Sequence, residues 1–383
     1  MKIIHLMLAC FYIDNYSYQE NYLPKYHKLQ GNDVEIIASL FTFDENGNGT
    51  WLPEAKKYIN EYDIPVTRLD FKKSKIARVL RQYDGLEKEL QRTEPDLIFI
   101  HGVQFADITI VAEYCKNHPG VRVYVDNHSD FSNSAKNWVS KNIQHEILWR
   151  HFAQKINPYV KKFYGVLPAR VDFLANEYKL PREKIELLVM GADDECVDKA
   201  ANPEIRKTIR EKYGISEDDF VIMTGGKIDA FKTQTLLLME AVHQLENPNV
   251  KLLVFGSVTP ELKDKVTALA DGKRVQYIGW VQSKDSYDYF AAADLVVFPG
   301  RHSVFWEQVV AQGKPMIVKY WDGTTHVDVC GNVEFLYEDS TEEIKEKIEK
   351  IIEPANYSAM KENARKASEH FMYSKIAQRS IAE

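Results

Sequence analysis

Two loops carry the residue types most apt for chemistry. The first runs Gly225-Gly226-Lys227-Ile228-Asp229-Ala230-Phe231-Lys232-Thr233 and follows an apolar run, Phe220 to Thr224. A glycine turn lets a ligand approach the backbone, and two ammonium groups can neutralise a diphosphate. Thr233 and Thr235 can cap the helix that follows. The plainer alternative is a solvated turn with surface lysines. The second loop lies within Leu295 to Val318. There a short apolar run, Leu295 to Phe298, breaks at Pro299-Gly300 and gives way to Arg301-His302-Ser303. A helix-like segment with Val304, Phe305, Val309 and Val310 ends near Gly313. Pro315 blocks further helix, and Met316 to Val318 begins the next strand. Open α/β sheets place ligands at such strand ends. Glu307 is the only acid between Pro299 and Gly313, and Gln308 is its neighbour.

Further candidates lie in the first half. His128 follows the apolar run of Val-Tyr-Val-Asp-Asn-His-Ser-Asp and is flanked by Asp126 and Asp130. An imidazole there can donate, accept or carry charge at neutral pH, or it can be structural. His101, in Ile-Phe-Ile-His-Gly, ends another run. Tyr18-Gln19-Glu20-Asn21 stands where a helix begins. These residues can bind a phosphate or an acceptor, or form a capping box.

The elements that must position these residues alternate. Strand candidates are Ile3 to Leu8, Val34 to Ala38, Leu97 to Ile100, Val121 to Val125, Phe163 to Val166 and Ile185 to Leu188. Helical patterns lie between them, including Asn21 to Leu29 and Ile76 to Leu90. The latter puts Ile76, Val79, Leu80, Tyr83 and Leu90 on one face. A charged, mostly polar segment, Asp198 to Asp219, separates this half from the next. The pattern then restarts with Phe220 to Thr224, Lys251 to Phe255, Val275 to Ile278, Leu295 to Phe298 and Met316 to Val318. Strands alternating with helices imply parallel sheets. The fold class is therefore α/β, with two Rossmann-like domains whose parallel sheets face each other across a cleft. A length of 383 residues suits two or three domains at about 150 residues each. The expected divisions are 1–197, 198–356 and a C-terminal helical stretch, 357–383.

Composition narrows the partners. The net charge of −7 argues against nucleic acid. Cys10, Cys115, Cys196 and Cys330 are scattered, which suits a reducing cytoplasm and gives no zinc pattern. The opening Met-Lys-Ile-Ile-His-Leu-Met-Leu-Ala-Cys reads as a first buried strand rather than a signal peptide, because no small-residue cleavage site follows it. No apolar run approaches the ~20 residues of a membrane span.

The loop at Leu295 to Val318 resembles the donor-sugar loop of family 4 glycosyltransferases, retaining enzymes of the GT-B fold. Their pattern is Pro-Ser-x-x-Glu-Gly-Phe-Gly, three residues, then Glu-Ala-x-Ala-x-Gly-x-Pro. Gly313-Lys314-Pro315 matches the end of it. Counting back, the two family glutamates fall on Gly300 and Gln308, with Glu307 one residue early, so this is a subgroup with a degenerate Glu-x7-Glu motif. The glycine-lysine loop resembles Gly-Arg-Leu-x-x-x-Lys-Gly, with Lys227 at the arginine and Lys232 at the lysine. Leu252 to Ser257, Val275 to Val281 and Tyr289 to Pro299 resemble the intervening family segments.

The resemblance implies a hexosyltransferase that moves a sugar from a nucleotide diphosphosugar to a hydroxyl acceptor, glycan or lipid-linked. The implied setting is surface polysaccharide, glycolipid or glycoconjugate biosynthesis. No cofactor or metal is implied, because lysines and helix dipoles carry the diphosphate charge. The implied catalytic residues are His128, Lys232 and Glu307. Donor-binding residues are Gly226, Lys227, Gly256, Ser257, Gly279, Trp280, His302, Ser303, Val304 and Gln308. Tyr18, Gln19, Asn21, His101 and Asp130 fall on the acceptor or phosphate side. The last helix is implied to return to the first domain. The location is cytoplasmic, with the basic 72–81 stretch available to anionic lipid at an inner membrane face. That stretch can equally be a core helix with a solvated end. Two rivals stay open: a non-catalytic relative that binds sugar nucleotide or glycan, and another GT-B enzyme such as a sugar-nucleotide 2-epimerase. Within the donor loop, either Glu307 faces the donor or Gln308 does so with Glu307 in solvent. The first is expected, since a carboxylate accepts more strongly than an amide.

Overall fold

A computed structural model describes residues 1–44 and 48–382. The chain forms two compact units, Met1–Val189 together with the chain from Ile376 onward, and Met190–Lys375.

The first unit contains β1 (Lys2–Met7), β2 (Asp33–Ser39), β3 (Phe41–Phe43), β4 (Gly49–Trp51), β5 (Lys56–Ile59), β6 (Pro65–Leu69), β7 (Leu97–His101), β8 (Arg122–Asn127), β9 (Val160–Gly165) and β10 (Ile185–Leu187). Eight of these form one sheet in the order β10-β9-β8-β7-β1-β2-β6-β5, while β3 and β4 pair separately. All neighbours in the large sheet are parallel except β5 and β6. Side chains alternate between the two faces of a strand. Ile4, Leu6, Ile98, Ile100, Val123 and Val125 therefore share one face and pack into a core with Leu86, Leu90, Ile108 and Val111 from two helices. The opposite face is partly polar. Register sets His5 beside Phe99 and His101 beside Asp126. The helix Gln19–Leu29 and the chain from Ile376 cover that face, with His27 reaching His5 and Ala382 accepting from the Tyr124 hydroxyl.

The second unit contains β11 (Phe220–Gly225), β12 (Val250–Phe255), β13 (Val275–Tyr277), β14 (Leu295–Phe298), β15 (Met316–Lys319) and β16 (Val333–Leu336). They form a wholly parallel sheet in the order β13-β12-β11-β14-β15-β16. Ile222, Val254, Val297 and Ile317 pack against the helices Gln234–Gln244 and Thr341–Ile352. The strand order runs outward in one direction from β11 and in the other from β14. Between them lies a switch point, where doubly wound sheets open a crevice at the strand carboxyl ends. Both candidate loops leave from those two strands.

Several expectations need correction. The single helix expected from Ile76 to Leu90 is two, Lys75–Leu80 and Leu86–Thr93. Arg81 closes the first with a left-handed φ of 54°, and Gly85 opens the second at 82°. Tyr83, in the break, is fixed by donating to the Leu8 carbonyl at 2.7 Å. The expected common face is lost: Leu90 and Tyr83 are buried, but Ile76 and Val79 are 69% and 71% exposed. The first unit ends at Val189 rather than 197, and residues 357–375 pack within the second unit. The polar segment 198–219 carries the helix Pro203–Lys212 and belongs to the second unit. Among the described residues no helix is long and apolar enough to cross a membrane.

Candidate functional site

The glycine-lysine loop and the loop after β14 meet at the switch point of the second sheet. Gly226, Lys227, Lys232, Gly300, Arg301 and Ser303 line a pocket there. Glycine is required at two positions. Gly226 and Gly256 have φ of 123° and 130°, and a Cβ on Gly256 would lie 1.8 Å from the Gly226 carbonyl oxygen. The turn is held by Gly226 N–H donating to the Phe255 carbonyl at 3.1 Å and Gly256 N–H to that of Gly279 at 2.8 Å. Lys232 crosses the pocket. Its Cγ lies 3.5 Å from where a Cβ on Gly300 would stand, and its Nζ 4.0 Å from that of Gly226. Burial lowers the pKa of its ammonium, with Arg301 adding to the effect against Asp229. Lys227 is exposed, its Nζ 3.5 Å from Asp229. Arg301 stacks over the Phe231 ring at 5.1 Å. Cationic side chains around open backbone are the groups that can hold an anion. Arg301 was not among the sequence candidates, although it sits at the mouth of a loop that was.

Glu307 and Gln308 do not line this pocket. Both are buried on the helix Phe305–Ala311. Glu307 therefore does not point to solvent, which removes the arrangement with Gln308 at the donor and Glu307 exposed. Its Oε1 lies 2.8 Å from Nε2 of both His302 and His326. Burial raises its pKa, but the His302 charge and the hydrogen bonds from both imidazoles outweigh it and hold the carboxyl well below its usual range. An ionised carboxylate only accepts, so both Nε2 atoms carry protons. Oε2 of Glu307 is buried with no hydrogen-bond partner. Gln308 Oε1 accepts from the buried Ser286 hydroxyl at 3.4 Å. Val304 occupies the N-cap position without a side-chain bond. His326 was missed by the sequence reading; the only signal was a histidine in a short polar turn after β15. The ligand atoms of His302, Glu307 and His326 lie within 4.8 Å of one another, close enough for a metal ion. The two hydrogen bonds account for the arrangement, and no ion is assigned to it.

Beside the glycine turn, Gly256 O accepts from the Tyr277 hydroxyl at 2.7 Å and Ser257 O from Ile228 N–H at 2.8 Å. Gly279 has a φ of 81°. Trp280, next to it, is 68% exposed, an open ring face for stacking.

In the first unit the candidates divide into two sets. His128 is 26% exposed at the side chain, with Nε2 3.5 Å from Asp126 and 3.9 Å from Glu20. Burial lowers its pKa, but Glu20 and Asp126 more than compensate, so the net shift is upward. Gln19 donates to Asp126 Oδ2 at 3.4 Å, and His101 Nδ1 lies 2.8 Å from the same oxygen. These residues form one cluster. Asn21 and Asp130 instead brace their own loops. Asn21 donates to the Ile13 carbonyl at 2.8 Å, and Asp130 binds Arg170 at 3.0 Å and the Ser132 N–H at 2.7 Å. Tyr18 is the N-cap of its helix but makes no side-chain cap bond, so the capping-box alternative is not formed. His101 is wholly buried, and its other partner, His5, was not a sequence candidate. The basic stretch is partly turned inward: Lys72 pairs with Asp107 at 3.0 Å and Arg81 donates to the Ala9 and Gln104 carbonyls.

Comparison with known proteins adds to this picture. Residues 205–367 match the family model described as Glycosyl transferases group 1. Mannosylfructose-phosphate synthase of Agrobacterium fabrum is 25% identical over 195 residues, 47% of this chain and 41% of that protein. The chain thus matches less than half of that relative's length. Anabaena HepE, solved in complex with UDP, superposes with a TM-score of 0.66 at 18% identity, over 99% of this chain and 98% of that one. UDP-GlcNAc 2-epimerase from Neisseria meningitidis, bound to UDP-GlcNAc, superposes at 0.62 and 13% identity, over 99% and 98%. At such identities the likeness speaks for the fold alone. The chain has the GT-B fold, and its residues 205–367 match the glycosyl transferases of group 1.

Proposed function

We propose that this protein is a retaining hexosyltransferase that moves a sugar from a nucleotide diphosphosugar to a hydroxyl of a glycan or lipid-linked acceptor. The observation that carries the reading is Lys232, half-buried in a pocket of glycine backbone and Arg301 at the sheet's switch point. That pocket lies inside the segment matching group 1 glycosyl transferases. HepE was solved with UDP, so uridine diphosphate sugars are the first donors to test.

In the reaction the acceptor hydroxyl bonds to the anomeric carbon as the bond from that carbon to the β-phosphate oxygen breaks. The hydroxyl proton passes to the departing diphosphate. Negative charge grows on that diphosphate, and Lys232 and Arg301 stabilise it where it grows. Gly226 lets the phosphate approach the backbone. Trp280 offers a face to the base. His128 and its carboxylate partners hold a sugar hydroxyl, and Glu307 fixes His302 in the donor loop. The setting is assembly of a surface polysaccharide, glycolipid or glycoconjugate on the cytoplasmic side of a membrane.

The experiment is incubation with a panel of nucleotide sugars and simple glycosides, read by mass spectrometry and proton NMR. The expected result is nucleoside diphosphate released only with acceptor, and a product that keeps the donor's anomeric configuration. A donor sugar altered at carbon 2 without acceptor would establish an epimerase. Tight nucleotide-sugar binding with no turnover across the panel would establish a binding protein.

A further inference from the structure

Aromatic rings on the first unit form one open run that ends at the His128 cluster. The ring centroids of Tyr18 and Tyr16 stand 5.4 Å apart, those of Tyr16 and Phe43 5.4 Å, and those of Phe43 and Phe41 5.9 Å. Phe11 leans on Phe41 and Phe43, at 5.0 and 6.3 Å. Trp51 closes the far end, edge-on to Phe41 at 5.3 Å and with Arg78 over its ring. None of these rings is fully buried, and Phe11, Tyr16 and Trp51 are 48%, 36% and 42% exposed.

The sequence builds the run from two pieces. Phe11, Tyr16 and Tyr18 lie in the segment after β1. Phe41 and Phe43 lie on β3, just beyond the end of β2, and Trp51 pairs opposite Phe41 on β4. Alternation along a strand puts Phe41 and Phe43 on one face. Gly49, opposite Phe43, leaves room for a ring there, since a Cβ on it would lie 2.8 Å from Phe41 Cζ. β1 and β2 run parallel to β7 and β8. The rings therefore leave the sheet by the same carboxyl edge as His101 and Asp126, the edge at which open α/β sheets bind ligands.

Aromatic surface held open in this way marks a place for a ligand or partner. Its surroundings select the chemistry. The chain has no Lys or Arg from Ala9 to Pro24 or from Leu40 to Ala55, and both stretches carry acids, among them Asp14 and Asp44. Such a surface repels anionic lipid and polyanions. At the cluster end, Gln19 Oε1, Asp126 Oδ1 and His128 Nε2 are buried and have no hydrogen-bond partner among the described residues. Buried polar atoms need partners, and a hydroxyl can serve as either donor or acceptor. Gln19 directly follows Tyr18, so these unpaired groups continue the run of rings. A sugar matches both parts. Its polarised C–H face lies on the negative face of an aromatic ring, and its hydroxyls reach the polar groups.

We infer that Phe11, Tyr16, Phe41, Phe43 and Trp51 are a stacking platform for an uncharged oligosaccharide chain, one end of which enters the His128 cluster. The run of rings is longer than a single sugar, so the ligand has several residues, free or carried on a lipid. That this chain is the acceptor rests on the transferase reading above; that it binds here does not.

The test is an array of uncharged oligosaccharides, from disaccharides to hexasaccharides of glucose, galactose, mannose or N-acetylglucosamine. It is probed with the full chain and no donor. The expected result is binding of oligosaccharides and not of the matching monosaccharides. Phe11→Ala and Tyr16→Ala each lower affinity about tenfold, the worth of one aromatic contact, while Tyr16→Phe keeps the ring and the affinity. Both side chains are exposed, so melting temperatures stay close to wild type. Uridine diphosphate binding, followed by calorimetry, is the same in all three variants. An array with no bound oligosaccharide, equal binding of monosaccharides, or full affinity in both alanine variants would overturn the platform. So would binding of phosphatidylglycerol vesicles that is lost in the same variants. Oligosaccharide binding through these rings without nucleotide binding would keep the platform and remove the transferase reading. Nucleotide binding without oligosaccharide binding would do the reverse.

Discussion

Glu307 and His326 are nineteen residues apart, and their wholly buried side chains meet at 2.8 Å. His302 approaches the same carboxylate oxygen at the same distance. The helix that carries Glu307 is thereby tied to the loop before it and to the turn after β15. Its carboxyl pKa is held below the ordinary 4.5. The stabilisation is therefore fully present above that pH and is lost as pH falls further. Glu307→Gln should cost about 3 kcal/mol at neutral pH, as expected for breaking a buried pair. The gap to wild type should narrow in acid. Urea unfolding at several pH values measures it. Donor affinity should also fall more in Glu307→Gln than in Gln308→Ala.

Lys232→Ala should weaken nucleoside diphosphate binding about ten- to a hundredfold, the loss of a charge-assisted hydrogen bond of roughly 1.5–3 kcal/mol. Lys227 is exposed and already beside Asp229. Lys227→Ala should cost less than Lys232→Ala. Calorimetric titration of both variants ranks them, and equal losses would make the pocket a diffuse basic surface.

Gly256→Ala tests the turn. Its Cβ would strike the Gly226 carbonyl, and the backbone φ is already unfavourable for alanine. Gly272 also has a positive φ, 71°, but nothing within 4 Å of an added Cβ. Gly272→Ala should therefore cost only about 1 kcal/mol of strain, and Gly256→Ala clearly more. Thermal unfolding compares them, and nucleotide binding should fail only in the second.

His128→Ala should slow transfer about a hundredfold or more, the usual range for a positioned acid or base, while nucleoside diphosphate still binds. Full activity with a lowered melting temperature would make His128 purely structural.

Ile76 and Val79 are exposed beside Lys75 and Arg78 on one short helix. Replacing both with Ser should change stability by no more than about 0.5 kcal/mol, as for other surface positions. Sedimentation with anionic vesicles should fall in the same variant. Unchanged sedimentation would remove this helix from membrane contact.

The sequence by itself determined the alternation of strands and helices, and with it the parallel sheets. Continuous apolar runs such as Leu295 to Phe298 have few other uses in a chain of this composition. The glycine-lysine loop was legible for the same reason, because Gly226 and Lys232 act through local backbone freedom and charge. The two short strands β5 and β6 and the break at Arg81 were not legible. Weak local patterns there are decided by which neighbour pairs with them.

Only the tertiary structure decided the polar constellations. His326 joins Glu307, and His27 joins His5 and Ser380, across separations that no spacing rule spans. A buried polar group must find a partner wherever the fold brings one near. Register between β1, β7 and β8 put His5, His101 and Asp126 on one face, and two covering segments closed it. A histidine in a sequence carries no mark of which face it will share, because strand order is fixed by the whole sheet and not by the strand.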